Sequence, residues 1–289
     1  MTNNDRKVGV VGLGLLGTAL AERLIGDGFD VFVFNRSREK SEPLLQLGAT
    51  WSDNPFKQCP RVVVCLYTSE VVKTVLDQFQ SELHDGHVIV DTTTGIPEQA
   101  IEFGESFSKK GIEYLEAPIA ASSEQTRRGE AISIVAGKKS TFDGCQDIFG
   151  AIAPKRFYVG SWGNAAKTKL VNNLILGLNR AVLAEGLMFA KAMGLPMSDV
   201  LETIKKLNCY SAVMDTKGKK MVDDDFSLQA KLSQHLKDVR LIIDEAEAGG
   251  LSLPFSNLHR DTLQSLENAG HGELDNSAII KAFEINSAS

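Results

Sequence analysis

An α/β domain built on a parallel sheet, followed by an all-α domain and joined to it by one long helix, is the fold that this 289-residue sequence predicts. Three observations predict it. Short β-rich apolar runs alternate with stretches of helical spacing up to about residue 160, as in successive βαβ units. From Asn164 onward Leu170, Leu174, Leu178, Val182 and Met188 fall at helical spacing, with no proline before Pro196. No repeat and no low-complexity linker separates the two parts, so the long helix itself must be the join.

The strands are expected at residues 8–11, 31–34, 62–66 and 88–90, with the first helix at 15–25 between the first two. Further strand-like runs follow at 113–117, 132–136 and 157–159. Beyond the long helix, residues 197–206, 228–248, 254–269 and 277–285 read as helices, punctuated by Gly249-Gly250 and Gly270-His271-Gly272. The domains are accordingly drawn at 1–162 and 163–289.

Composition narrows the function. The chain carries 31 Lys plus Arg against 37 Asp plus Glu, a formal charge of −6. There is no basic surplus to neutralise a nucleic-acid backbone or an anionic membrane, and a small-molecule partner is expected instead. Cys59, Cys65, Cys145 and Cys209 are scattered, without a CxxC pair or zinc spacing, so no metal site is expected and the thiols read as neutral. A short polar lead enters an apolar strand directly, and no run of about 20 apolar residues occurs, so a cytoplasmic protein is expected.

Gly12-Leu13-Gly14-Leu15-Leu16-Gly17 follows the strand VGVV and opens a helix, the context in which GxGxxG binds a dinucleotide. The first glycine permits the tight turn, the second lets backbone approach a pyrophosphate, and the third packs helix on strand. This makes the first domain Rossmann-type. Where NAD-selective proteins carry a carboxylate for the ribose hydroxyls, this chain has Asn35-Arg36-Ser37. Without that carboxylate a 2′-phosphate is not repelled, and Arg36 and Ser37 offer it a planar cation and a hydroxyl, so NADP(H) is the expected cofactor. Leu66, closing the run 62–66, completes the candidate cofactor contacts from this edge.

Lys169, Asn172 and Asn173 lie on the long helix, and residues three and four apart share a face. As hydride reaches a carbonyl carbon, its oxygen gains negative charge. A positioned ammonium stabilises that charge and passes on a proton, so Lys169 is the candidate acid in reduction and base in oxidation.

Together these residues resemble the β-hydroxyacid dehydrogenases, the family of 3-hydroxyisobutyrate dehydrogenase and of glyoxylate and succinic semialdehyde reductases, over essentially the whole chain. The family's GLGxMG is matched except for Leu16, its KxxNN by Lys169 to Asn173, its DxSTxxP by Asp91 to Pro97, and its late Lys-Asp by Lys237-Asp238 with Leu253-Pro254 following. Ala165 stands where the family's glycine-rich lead usually ends in glycine. The resemblance implies that Lys169 is catalytic, that Asn173 and Asn172 serve substrate or lysine, that Thr94 lies near the nicotinamide ribose or substrate, and that Lys237 approaches the cofactor. It also implies a homodimer or homotetramer, and NADPH-dependent reduction of a small aldehyde or oxo acid.

The carboxylate-binding motif departs from the family: DAPVSGG becomes Glu116-Ala117-Pro118-Ile119-Ala120-Ala121-Ser122. Close backbone approach relies on the lost glycines. Ser122 and Ser123 are candidate replacement donors, while Arg127 and Arg128 read either as anion ligands or as a surface turn. Imine reduction, or reduction of an uncharged carbonyl, therefore stays open as the alternative, although imine reductases usually lack the lysine. A catalytically silent NADP-binding protein is the third reading.

Overall fold

The computed structural model describes residues 6–285. By their internal contacts two compact units divide the chain at Met1–Lys169 and Leu170–Ser289, inside the long helix.

The first unit holds one eight-stranded sheet: β1 (Lys7–Val11), β2 (Asp30–Phe34), β3 (Thr50–Trp51), β4 (Arg61–Val64), β5 (Val88–Asp91), β6 (Glu113–Glu116), β7 (Ile132–Gly137) and β8 (Lys155–Tyr158). They run in the spatial order β3-β2-β1-β4-β5-β6-β7-β8, parallel throughout except for the antiparallel β6–β7 pair. The first six follow the doubly wound dinucleotide-binding order, in which ligands sit beyond the carboxyl ends of the strands where the order reverses, here between β1 and β4. The β3 strand is only two residues long and was not expected.

The strands are apolar at consecutive positions because both faces of the sheet are covered. Side chains alternate between faces, so Val8, Val10, Val31, Val33, Val63, Val90 and Leu115 join one core. Val11, Val62, Val64, Ile89 and Tyr114 join the other, with Phe56, Phe79, Phe103 and Phe107.

Helix Asn164–Ala192 confirms the long periodic segment. It stops where Gly194 takes φ +78°, with the Leu195 N–H donating to the Ala190 carbonyl, two residues before Pro196. By length and composition alone this helix could cross a membrane. Lys169, Asn172, Asn173, Arg180 and Glu185 interrupt it, however, and Leu183, Ala184 and Leu187 pack into the core of the second unit.

That core adds Leu232, Leu236, Val239 and Ile243 from helix Leu232–Ala248, and Leu263 and Leu266 from helix Pro254–Leu266. Helix Leu232–Ala248 starts four residues later than expected. The Asp275 carboxylate accepts the N–H groups of Gln229 (3.1 Å) and Ala230 (3.0 Å) and holds this lead extended. Residues 277–285 begin as a 3₁₀ turn, Asn276–Ile280, before helix Lys281–Ile285. Segments Met214–Gly218 and Lys219–Val222 are also helical, where no helix was expected.

The four cysteines are free. Burial pushes the thiols of Cys59 up to about 12 and of Cys65 and Cys145 to about 11, which leaves these three protonated and unreactive near neutrality.

Candidate active site

The loop after β1 is shaped by two glycines that the protein itself requires. Gly12 has φ +97°, and a Cβ there would stand 2.2 Å from the Cys65 carbonyl oxygen. A Cβ on Gly17 would stand 2.0 Å from the Gly12 carbonyl oxygen. Gly14 is different: its φ is an ordinary −75°, and among the described residues no atom occupies the space within 4 Å of where its Cβ would be. No side chain caps the helix Leu15–Gly26 that it opens, and Leu15 is exposed. Unsatisfied N–H groups facing open space at the positive end of a helix suit a pyrophosphate, so the loop fits a dinucleotide.

The Asn35 side chain is the clip of this loop. Its Oδ1 accepts the Leu13 N–H at 3.0 Å, and its Nδ2 donates to the Ser37 carbonyl at 2.9 Å. Its amide therefore organises the turn. Arg36 is exposed, and among the described residues no carboxylate pairs with it. Ser37 precedes the short turn Arg38–Ser41 without capping it by its side chain. Arg38, not singled out from the sequence, lies 5.1 Å from the centroid of the Trp51 ring, so a second guanidinium stands at this strand end.

At the ends of β4 and β5, the Leu66 N–H donates to Thr93 Oγ1 at 3.1 Å, and Thr92 Oγ1 donates to the Val64 carbonyl at 2.8 Å. Buried Asp91 closes the turn, accepting from the Thr93 N–H and the Tyr114 hydroxyl, each at 2.9 Å. Thr94, half-buried, thus follows a turn rigidly held on the same sheet edge as Gly12 and Leu66.

The EAPIAAS segment does two jobs. Glu116, only 3% exposed, accepts the N–H of Gly163 at 2.8 Å and that of Ala166, capping the helix that carries Lys169. Burial, with a smaller contribution from Asp91, lifts its carboxyl to about 7 against the pull of those N–H groups. Downstream, Ser122 caps helix Ser123–Arg127: its Oγ accepts the Gln125 N–H at 3.2 Å while Gln125 Oε1 accepts the Ser122 N–H at 2.9 Å. Its hydroxyl oxygen is engaged in capping, and Ser123 is buried. Arg127 bonds Glu22 and Arg128 pairs with Glu130 and Glu124, as a surface turn requires.

Lys169 is 6% exposed, one turn beyond Ala166. On the continuing helix, Asn172 Nδ2 donates to Asn173 Oδ1 at 3.1 Å. Buried Asn173 in turn donates to Asp238 Oδ2 at 3.0 Å. Lys237 is ion-paired with the other oxygen of Asp238 at 3.0 Å, so its charge is compensated inside the second unit. The capping role of Glu116 was not visible in the sequence: its partners lie 47 and 50 residues away.

Comparison with known proteins agrees with this geometry. A family model described as the NAD binding domain of 6-phosphogluconate dehydrogenase matches residues 7–160. A second, described as NAD-binding of NADP-dependent 3-hydroxyisobutyrate dehydrogenase, matches residues 163–283. The cytokine-like nuclear factor N-PAC of Anopheles gambiae is 31% identical over 94% of this chain and 49% of its own length, so the chain spans about half of that relative. Glyoxylate/succinic semialdehyde reductase 1 of Arabidopsis thaliana is 28% identical over 96% of this chain and 98% of its own. Among solved structures, Psf3 in complex with NADP+ and 2-OPP superposes with a TM-score of 0.88 at 27% identity, covering 95% of this chain and 99% of its own. An imine reductase from Pseudomonas sp. shares the fold at a TM-score of 0.67 and 22% identity, covering 96% and 99%. With a glycine loop that fits a dinucleotide, an intact KxxNN helix and family models spanning both units, the chain belongs to the β-hydroxyacid dehydrogenase family.

Proposed function

We propose that this protein is an NADPH-dependent reductase of small aldehydes or oxo acids of the semialdehyde or glyoxylate type. The observation that carries the reading is Lys169: a lysine 6% exposed, on a helix whose first turn is fixed by the Glu116 carboxylate. An amine held in a buried setting is suited to stabilise developing negative charge and to pass on a proton.

When bound, the nicotinamide supplies hydride to the carbonyl carbon. Lys169 gives a proton from Nζ to the carbonyl oxygen, the product is the alcohol, and the neutral amine regains its proton from solvent. Asn173, tied to Asp238, holds a polar side chain one turn along the same helix, where it can orient the substrate or the amine. Arg36 and Ser37 would take the 2′-phosphate. The absence of a carboxylate there and the exposure of Arg36 support NADPH over NADH.

A second reading has its own support. Ser122 Oγ is used in capping, Ser123 is buried, Ala120 stands where the family has its serine, and Ala121 and Ser122 carry side chains where it has glycines, so the loop has fewer donors for a substrate carboxylate. Uncharged carbonyls or imines are the substrates this would favour. Val171, Ile175, Val182 and Phe189 are exposed along one helix at spacings of four and seven, which supports a homo-oligomer that covers them.

The test is NADPH oxidation with glyoxylate, succinic semialdehyde, uncharged aldehydes and cyclic imines, with NADH in parallel. Turnover of the carboxylated aldehydes with NADPH supports the proposal. Turnover of imines or uncharged carbonyls alone moves the function to the second reading, and cofactor binding without turnover identifies a silent binder.

A further inference from the structure

The second unit contains a buried polar layer that the reaction does not use. Arg180, 4% exposed, projects from the long helix into the helical core, and among the described residues its Nε and Nη1 have no hydrogen-bond partner. Gly177, one turn earlier on the same helix, leaves room for a pair of buried histidines. A Cβ at Gly177 would stand 2.5 Å from His235 Nε2 and 3.2 Å from His259 Nε2. The two Nε2 atoms are 3.1 Å apart, so one proton is shared between them, and among the described residues buried His259 Nδ1 has no hydrogen-bond partner.

The nearby acid cannot neutralise Arg180. The charge of Asp275 acts on Arg180, but its oxygens are fully engaged. Oδ1 accepts Lys217 Nζ (2.8 Å) and the Ser277 N–H (3.1 Å). Oδ2 accepts Lys217 Nζ (2.9 Å) and the N–H groups of Gln229 and Ala230. Two cations, Arg180 and Lys217, therefore share one carboxylate, and only Lys217 touches it. Arg180 remains charged near neutrality, since burial lowers it only to about 10. A buried guanidinium with unmade donors carries a large cost, which the charge of Asp275 offsets only in part.

We propose that Arg180 and His259 form an internal binding site for a small monovalent anion such as chloride, held by Arg180 Nε–H and Nη1–H and by His259 Nδ1–H. The anion balances the surplus charge of the layer and gives both unpartnered groups an acceptor. It fixes His259 as the Nδ1–H tautomer, so that His235 Nε2 donates and His259 Nε2 accepts within the pair. The positive field of Arg180, which together with burial holds His259 down to about 4, is the field that would draw the anion in.

The experiment is thermal unfolding of the full chain as chloride replaces gluconate at constant ionic strength, together with crystals soaked in bromide and read by anomalous scattering. Tm should rise saturably with chloride, by roughly 2–10 °C across the titration, and a bromide peak should stand beside Arg180 Nε. In folded Arg180→Leu the chloride dependence should vanish; dependence that persists would put the anion elsewhere and overturn the site. Where that variant does not fold, the wild-type pair of measurements decides. Identical Tm in both salts with no bromide peak would mean that only water meets these donors, and the proposal would fall.

Discussion

Glu116 accepts the backbone N–H of Gly163 at 2.8 Å, and this bond ties the end of β6 to the helix that presents Lys169. Gly163 can donate in this way because its φ of +86° turns the chain just before the helix begins. A family position usually held by aspartate thus serves here, as glutamate, to hold the first turn of the helix that carries Lys169.

The carboxyl of Glu116 is lifted from 4.5 to about 7 by burial, so the folded chain binds its proton more tightly than the unfolded chain does. Its contribution to stability is full below about pH 4.5 and is lost as pH rises through about 7, an effect of up to about 3 kcal/mol. Glu116→Gln keeps an acceptor for the helix N–H groups and cannot ionise. Denaturant unfolding at pH 5 and pH 8 should show a smaller loss on raising the pH in Glu116→Gln than in the wild type. Equal losses would mean that Glu116 stays ionised throughout.

The two halves of the glycine loop should separate by what they damage. Gly12→Ala places a Cβ against the Cys65 carbonyl at a φ few side chains adopt, and should cost on the order of 3 kcal/mol of stability. Gly14→Ala enters open space. It should unfold within about 1 kcal/mol of the wild type while weakening NADPH at least about tenfold, as read by fluorescence titration.

Much of this was legible in the sequence, and most of what was hidden depends on partners far away in the chain. Strands such as 8–11 and 62–66 and the helix opened by Gly12 to Gly17 announce themselves through local pattern, because burial on both sheet faces and helical periodicity are short-range properties. The two-residue β3 is too short to leave a pattern. The late start of helix Leu232–Ala248 depends on Asp275, 45 and 46 residues away from the N–H groups it captures. Asn35 reads from the sequence as a candidate cofactor contact; that its oxygen also meets Leu13, across 22 residues, no local signal reveals. Lys169 was found by helical spacing and by resemblance, whereas the carboxylate that holds its helix was visible only in three dimensions.

Arg36 is the test of cofactor choice. Arg36→Ala should raise the Kd for NADPH by roughly 10–100-fold, the value of a charge-assisted phosphate contact, and leave that for NADH within about twofold. Equal effects on both cofactors would remove Arg36 from the 2′-phosphate and turn attention to Arg38, stacked on Trp51.

Lys169 should be separable into charge and proton. Lys169→Ala removes both and should lower kcat by about 10²–10⁴-fold while leaving NADPH affinity nearly unchanged. Lys169→Arg restores a cation that cannot give up its proton near neutrality, so it should recover little of kcat if proton transfer is the role, and much of it if electrostatic stabilisation suffices. Asn173→Ala supplies the control from the same helix. It removes the donor to Asp238 Oδ2, which should cost about 1–3 kcal/mol in unfolding free energy through the one carboxylate oxygen left without its donor, while Lys237 keeps the other. If Asn173 also orients substrate, KM rises beyond what lost stability explains; an unchanged KM with lowered stability would confine Asn173 to holding Asp238.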